Sequence, residues 1–415
     1  MKKLSLLLSV AMSLGVTCAG TRPKLSGLTV DASASPIRVN YTLDKPAVVT
    51  FAVLTNGVPV GYEWTATGWR GDVFRLVDAG PHSFSWKPYH KELLATAFSS
   101  GNAKIRVKAW APDAPPDYVV FDLTHDCSAT YFEHADQIAG GVTNAACKFE
   151  KLVMRKIPAA LETFRMGAPL GEKGRTQYEV STLVTLTNDY YLGVFELTSG
   201  QYDRLCGKAG SGKGAYRCAY SSIRPSGKSW PIDGHDVPES GVIYNVRQGS
   251  DGLPFDLPTR AQWEFACRAG CPAALYTGES LSVTSGSADP ALEPIAWYGY
   301  NSAASVDKVA DQVHEVGLKL PNRWGLYDMI GNVWEFVLDY DWTLPAGAIT
   351  EPTGPVSGTL RARCGGAYDS NPGSCRSASC YANDPSYSND IAQGVNGKNN
   401  NNQGLRLWLP AKAFR

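Results

Sequence analysis

Ten cysteines stand in a chain of 415 residues, and their thiols are the first groups that could carry chemistry. In an oxidising compartment such thiols favour disulfides over a zinc site. Cys127 with Cys147, and Cys206 with Cys218, read as local pairs, each closing a Gly-rich or polar loop. If Cys18 is removed with a leader segment, an odd number remains, and one thiol stays free or pairs outside the chain. Cys375 and Cys380 read as framework residues bridged to Cys267, Cys271 or Cys364. The run Gly207 to Gly214 nearly spells a phosphate-binding loop. Gly214, however, holds the place of the magnesium-binding hydroxyl, and Cys206 rather than a strand precedes it. The six histidines show neither the paired helical spacing of a zinc site nor a nucleophile motif. Gly366 to Gly404 is crowded with Asn, Ser, Tyr, Asp, Ala and Gly and nearly empty of large aliphatics. That is the composition of a recognition loop, with adaptable hydrogen bonding and low-entropy aromatic contacts, or else of a merely solvated one. Its candidate contacts are Tyr368, Asp369, Ser370, Asn371, Tyr381, Asn383, Asp384 and Tyr387.

The elements that must position these groups divide the chain. The 39 Lys and Arg balance the 39 Asp and Glu, which argues against a polybasic nucleic-acid binder. Lys2 and Lys3, the apolar run Leu4 to Val16 and the small residues Thr17 to Gly20 have the layout of a secretory signal, so 1–20 is expected to be cleaved near Ala19 or Gly20. The protein is then secreted or periplasmic. A lipid anchor on Cys18 is the secondary reading, because Gly15-Val16-Thr17 is a poor lipobox. The run is too short to span a bilayer, and no later segment is apolar for long enough, so no transmembrane segment is expected in the mature chain. Residues 24–123 alternate with period two in Ile37 to Leu43, Ala47 to Leu54, Val73 to Val77, His82 to Trp86, Lys104 to Trp110 and Tyr118 to Leu123. Short strands at this spacing predict an all-β immunoglobulin-like sandwich, although the Cys, Trp and Cys arrangement of antibody domains is absent. Residues 124–150 read as a linker. Beyond it, Thr259-Arg-Ala-Gln262 has the form of a capping box opening a helix that Gly270 ends, and Thr198 before Gln201 starts a second helix.

In the second half stand Phe164-Arg-Met-Gly-Ala-Pro169, Tyr191-Leu-Gly-Val-Phe-Glu-Leu-Thr198, Leu257-Pro-Thr-Arg-Ala-Gln-Trp-Glu-Phe265, Gly325-Leu-Tyr-Asp-Met-Ile-Gly-Asn-Val-Trp-Glu-Phe336, Gly365-Gly366 and Gly404-Leu-Arg406. In this order they resemble the formylglycine-generating, or sulfatase-modifying factor, family. The resemblance implies a domain over 151–412 of α+β type with little regular secondary structure, related to the C-type lectin fold. It also implies a calcium site at the side chains of Asp328 and Glu335 and the carbonyls of Gly331 and Val333, with Asn301 near a second ion. Hard oxygens in a flexible loop suit calcium. Active members hold copper(I) between two cysteines and oxidise a sulfatase cysteine to formylglycine. Aligned on Gly365-Gly366, Ser370 stands at the first cysteine position and Cys375 at the second, and Ala367 replaces the active-site serine. A hydroxyl is a poor substitute for a soft thiolate, so the copper site is expected to be broken. Cys375 and Cys380 keep the pair's own spacing, and a shifted loop would make them catalytic. The expected function is therefore binding of a protein or glycan ligand. The alternative is a copper oxidase acting on a sulfatase peptide. The loop also resembles the variable region of retroelement-diversified proteins that share this fold.

Overall fold

Alternation becomes structure in the segment Ile37–Leu43, where Ile37, Val39, Tyr41 and Leu43 are buried and the residues between them exposed. The computed structural model describes residues 22–56, 58–59, 68–88, 103–207, 242–302, 313–358, 360–383 and 402–414. Its first strands are β1 (Leu25–Asp31), β2 (Ile37–Leu43), β3 (Ala47–Thr55), β4 (Val58–Pro59), β5 (Trp69–Gly71), β6 (Arg75–Val77), β7 (Gly80–Trp86) and β8 (Ala103–Trp110). They form two antiparallel sheets, β1-β2-β7-β5 and β4-β3-β6, with β8 also paired to β3. Val39, Tyr41 and Trp86 of one sheet share an apolar cluster with Val49, Phe51 and Ile105 of the other. Phe51 lies at its centre, with ring centroids 5.1 Å from Phe74 and from Phe84 and 5.6 Å from Trp86. Burying an aromatic side chain of this kind contributes about 1.5–3 kcal/mol.

The remaining strands are β9 (Tyr118–Asp122), β10 (Ala129–Phe132), β11 (Lys151–Ile157), β12 (Thr163–Met166), β13 (Thr182–Thr185), β14 (Tyr190–Gly193), β15 (Trp334–Tyr340), β16 (Ala348–Thr350), β17 (Arg361–Cys364), β18 (Cys380–Asn383), β19 (Gln403–Leu405) and β20 (Trp408–Pro410). The described helices are short: α1 (Ala145–Phe149), α2 (Ser199–Leu205), α3 (Val242–Gly249) and α4 (Arg260–Arg268). Three sheets result, β10-β9-β11-β14-β20, β12-β13-β16 and β18-β17-β15-β19. The protein is thus mostly β with few helices, and it has more than one domain.

Two expectations are corrected here. Tyr118–Asp122 pairs with Lys151–Ile157 of the second domain rather than with the sandwich, and the segment read as a linker holds β10, a 3-10 turn and α1. The physical reason is that β9 buries both faces. Val119 and Phe121 enter one apolar cluster, whereas Tyr118 and Val120 join the sandwich core together with Phe132, Val153 and Phe195. For the same reason Cys127 and Cys147 do not bridge. They are free thiols assigned to the two different clusters. Cys218, the expected partner of Cys206, lies outside the described residues, as do the apolar run 4–16 and Cys18. Among the described residues no helix is long and apolar enough to cross a membrane.

The two capping boxes form where local sequence placed them. The Gln262 N–H donates to the Thr259 hydroxyl at 3.2 Å, while the Gln262 side chain accepts from the Thr259 N–H at 3.0 Å. Thr198 and Gln201 repeat the arrangement at the start of α2. Ala269 takes the left-handed conformation at the end of α4, one position before the expected glycine.

Candidate functional site

The Gly325–Phe336 string runs as a loop into β15, turned by left-handed residues at Asp328, Gly331 and Asn332. A β-carbon on Gly331 would collide with the Trp297 backbone, so only glycine fits that turn. Asp328 accepts from the Gly317 N–H at 2.6 Å. Asn332 donates to Glu196 at 2.6 Å, and the Val333 N–H donates to the same carboxylate at 3.2 Å. Glu196 is fully buried, and Asp328 and Glu335 are nearly so. Burial pushes Glu196 well above the usual carboxylate range, and the charges of Asp328 and then Glu335 push it further. Burial also raises Asp328, to about 6.

Arg406, between β19 and β20, is the cation set among these acids. It donates to Glu335 Oε1 from Nη2 at 2.7 Å and to Oε2 from Nε at 3.0 Å, and to the carbonyls of Gly193 and Tyr327 at 2.9 and 2.8 Å. Trp263 Nε1 adds a third donor to Glu335 Oε2 at 2.7 Å. Of the expected calcium set, Glu335 has both oxygens engaged by a buried guanidinium and an indole. Asn301 closes a turn, its side-chain oxygen accepting from the Tyr298 N–H at 2.9 Å. Among the described residues, no three His, Cys, Asp or Glu side chains converge as a metal site.

The cysteines diverge in a similar way. Cys375 is fully buried with its sulfur packed against Gly366, where a β-carbon would stand 2.8 Å from Sγ. Cys380 instead meets Cys364, its directly opposite neighbour across β17 and β18. Burial pushes the Cys375 thiol up to about 12, with the Asp369 charge adding to it. A thiol so raised is a weak nucleophile and a weak metal ligand. The Ser370 hydroxyl accepts from the Ala367 N–H at 3.0 Å.

Next to Cys375, Arg376 is buried among carboxylates and carbonyls. It donates to Glu179 at 2.8 and 2.9 Å, to Glu172 at 2.6 Å and to the carbonyls of Gly373 and Gly174 at 2.7 Å. This clamp ties the 365–379 loop to the segment after β12, and it leaves an uneven recognition face. Asn371 is exposed, with the Tyr300 hydroxyl 3.4 Å from its side-chain oxygen. Tyr381 is exposed and meets Trp334 edge-on at 5.2 Å. Asp369 is half-buried and accepts from Asn402 at 3.0 Å. Tyr368, by contrast, is buried with Val313 and Val333. Asn383 ends β18, whereas Asp384 and Tyr387 lie outside the described residues.

Sequence reasoning did not single out Glu196, Arg376 or Arg260 as site residues. Glu196 and Arg406 did lie inside the quoted strings, and a lone acid within the apolar run Tyr191 to Leu197 was the available signal.

A β-rich domain with few helices, riveted by buried guanidinium–carboxylate pairs around a loop of left-handed turns, defines the class of protein. The chain belongs to the sulfatase-modifying factor family, for the model of the sulfatase-modifying factor enzyme 1-like domain matches residues 161–395. Similar curated proteins include the mouse formylglycine-generating enzyme, 33% identical over 131 residues, which are 30% of this chain and 32% of that one. A chaperone protein LppX of Paenibacillus barcinonensis is 27% identical over 192 residues, 38% of this chain and 64% of its own. This chain thus matches about a third of the mouse enzyme's length. Among solved structures, Treponema denticola variable protein 1 resembles 63% of this chain over 95% of its own, at 19% identity and a TM-score of 0.45.

Proposed function

We propose that this protein is exported and acts as a binding module, with the face around Asn371 and Tyr381 contacting a protein or glycan ligand and with no formylglycine-generating oxidase activity. In this reading residues 1–20 are a cleaved secretory signal. The facing sheets β1–β8 are an immunoglobulin-like sandwich, and the second domain is a relative of the C-type lectin fold. One observation carries it: Cys375 Sγ packs against Gly366 while Cys380 stands opposite Cys364 across β17 and β18, and Ser370 occupies the other aligned cysteine position. Exposed Tyr381 and the polar Asn371 offer an amphipathic surface of the kind that binds with little loss of side-chain freedom. The test is to incubate the full chain with copper(I), oxygen and a Cys-X-Pro-X-Arg peptide. The peptide is expected to keep its thiol by mass spectrometry, and conversion of that thiol to an aldehyde overturns the reading.

Calcium belongs to the proposal in a narrower form. The buried carboxyl groups of Asp328 and Glu196 support a divalent cation beside Asp328 and the Gly331 and Val333 carbonyls, with Glu335 kept by Arg406 as a positioning residue. Calcium is expected to raise the melting temperature and a chelator to lower it, and equal melting in both conditions removes the ion.

A further inference from the structure

Cys364 and Cys380 stand opposite each other in the register of β17 and β18. On the next rung the Gly365 N–H donates to the Ser379 carbonyl at 3.2 Å. Hydrogen-bonded and non-hydrogen-bonded rungs alternate in an antiparallel pair, so the cysteine rung is of the second kind, where Cα atoms approach to about 4.5 Å. That spacing falls within the roughly 4.4–6.8 Å that a disulfide spans. Cys364 is 1% exposed and Cys380 half-buried, so Cys380 is the more accessible of the two.

A second observation comes from α4. Arg260 is 3% exposed, and its Nε and Nη2 have no hydrogen-bond partner among the described residues. Buried donors left unmade are costly. Burial pushes the Arg260 pKa down, yet Cys380 and then Cys364 lead the neighbours that more than restore it, ahead of Glu264 and Asp339. Burial raises the Cys364 thiol, and the Arg260 charge offsets part of that rise.

We propose that Cys364 and Cys380 are a redox pair that closes to an intramolecular disulfide by exchange with a low-molecular-weight disulfide, with Arg260 as the positioning cation. Cys380, the more accessible sulfur, loses its proton to solvent and attacks one sulfur of the incoming disulfide. A thiolate leaves, and a mixed disulfide remains on Cys380. Cys364 then attacks Cys380 Sγ, its proton passing to the thiolate already released, and expels the second thiolate. Two protein thiols are oxidised and one external disulfide is reduced to two thiols. The closed bridge encloses the loop carrying Asp369, Ser370 and Asn371. Cys375, within the enclosed loop, stays packed on Gly366, and Cys267, outside it, is directed at the Met329 carbonyl.

The test equilibrates the full folded chain with mixtures of reduced and oxidised glutathione, quenches with an alkylating agent and maps the peptides. A single 364–380 link is expected, rising from nearly absent in reduced buffer to nearly complete in oxidised buffer, with the oxidised form melting higher than the reduced. Thiols that remain unbridged in oxidised buffer, or a link formed instead with Cys375 or Cys267, overturn the proposal. Arg260→Met is expected to slow closure at neutral pH, with the rate restored in alkaline buffer. Equal rates for wild type and variant at every pH remove Arg260 from it.

Discussion

A carboxylate with no water around it must find its compensation in the protein, and Glu335 finds nearly all of it in Arg406. Breaking one partner of a buried pair strands the other, at a cost of about 3–5 kcal/mol. Arg406→Met is expected to lose stability on that scale in denaturant titration, and adding Glu335→Leu is expected to recover much of it. A single variant as stable as wild type would show that the pair is not the rivet described. Asp256 behaves differently, because its Arg247 partner, 3.0 Å away, does not offset burial. Burial is the largest influence, and the carboxyl is pushed up to about 6 from its ordinary 3.8. With the folded value raised, this group's stabilisation is complete below its unfolded pKa and is lost as pH rises through about 6. The stability of wild type relative to Asp256→Asn is therefore expected to fall between pH 4 and 6, and a flat difference across that window contradicts the assignment.

Local signals wrote the short elements. At the start of α4 the reciprocal bonds of Thr259 and Gln262 satisfy donors that the helix cannot, and Thr259→Ala is expected to cost about 1 kcal/mol in unfolding free energy. A change within error would mean that the neighbouring contacts hold the helix unaided. Thr198, β2 and β3 could be read in the same way, because a cap needs four residues and a half-buried strand needs only alternation. The described stretches 271–302 and 313–333 could not. Their shape comes from contacts distant in sequence, such as Asn322 donating to the Ala266 carbonyl at 2.8 Å and the left-handed turns packed under Trp297. The meeting of Cys364 with Cys380 depends on strand register, which no spacing rule fixes. The family strings marked Asp328 and Glu335 as neighbours, but nothing in them said that Glu335 would be spent on Arg406.

At the level of the whole molecule, the expectation of a linker gives way to a continuous core. The Tyr131 N–H donates to the Phe74 carbonyl at 2.8 Å, and the Phe74 and Phe132 rings lie 5.3 Å apart across the join between sandwich and second domain. Two bodies that share side chains in this way should unfold together. Calorimetry is expected to show one transition, which Phe132→Ala lowers by about 3–5 kcal/mol of stability without splitting it. Two resolved transitions in wild type would mean that the join is a mere contact. The sheet that receives the sandwich is completed by β20, whose Leu409 lies beside Tyr191 of β14. A ribosome delivers those two strands far apart in time. Until the later one emerges, the earlier waits with a bare hydrogen-bonding edge, so this sheet cannot close before β20 has left the ribosome.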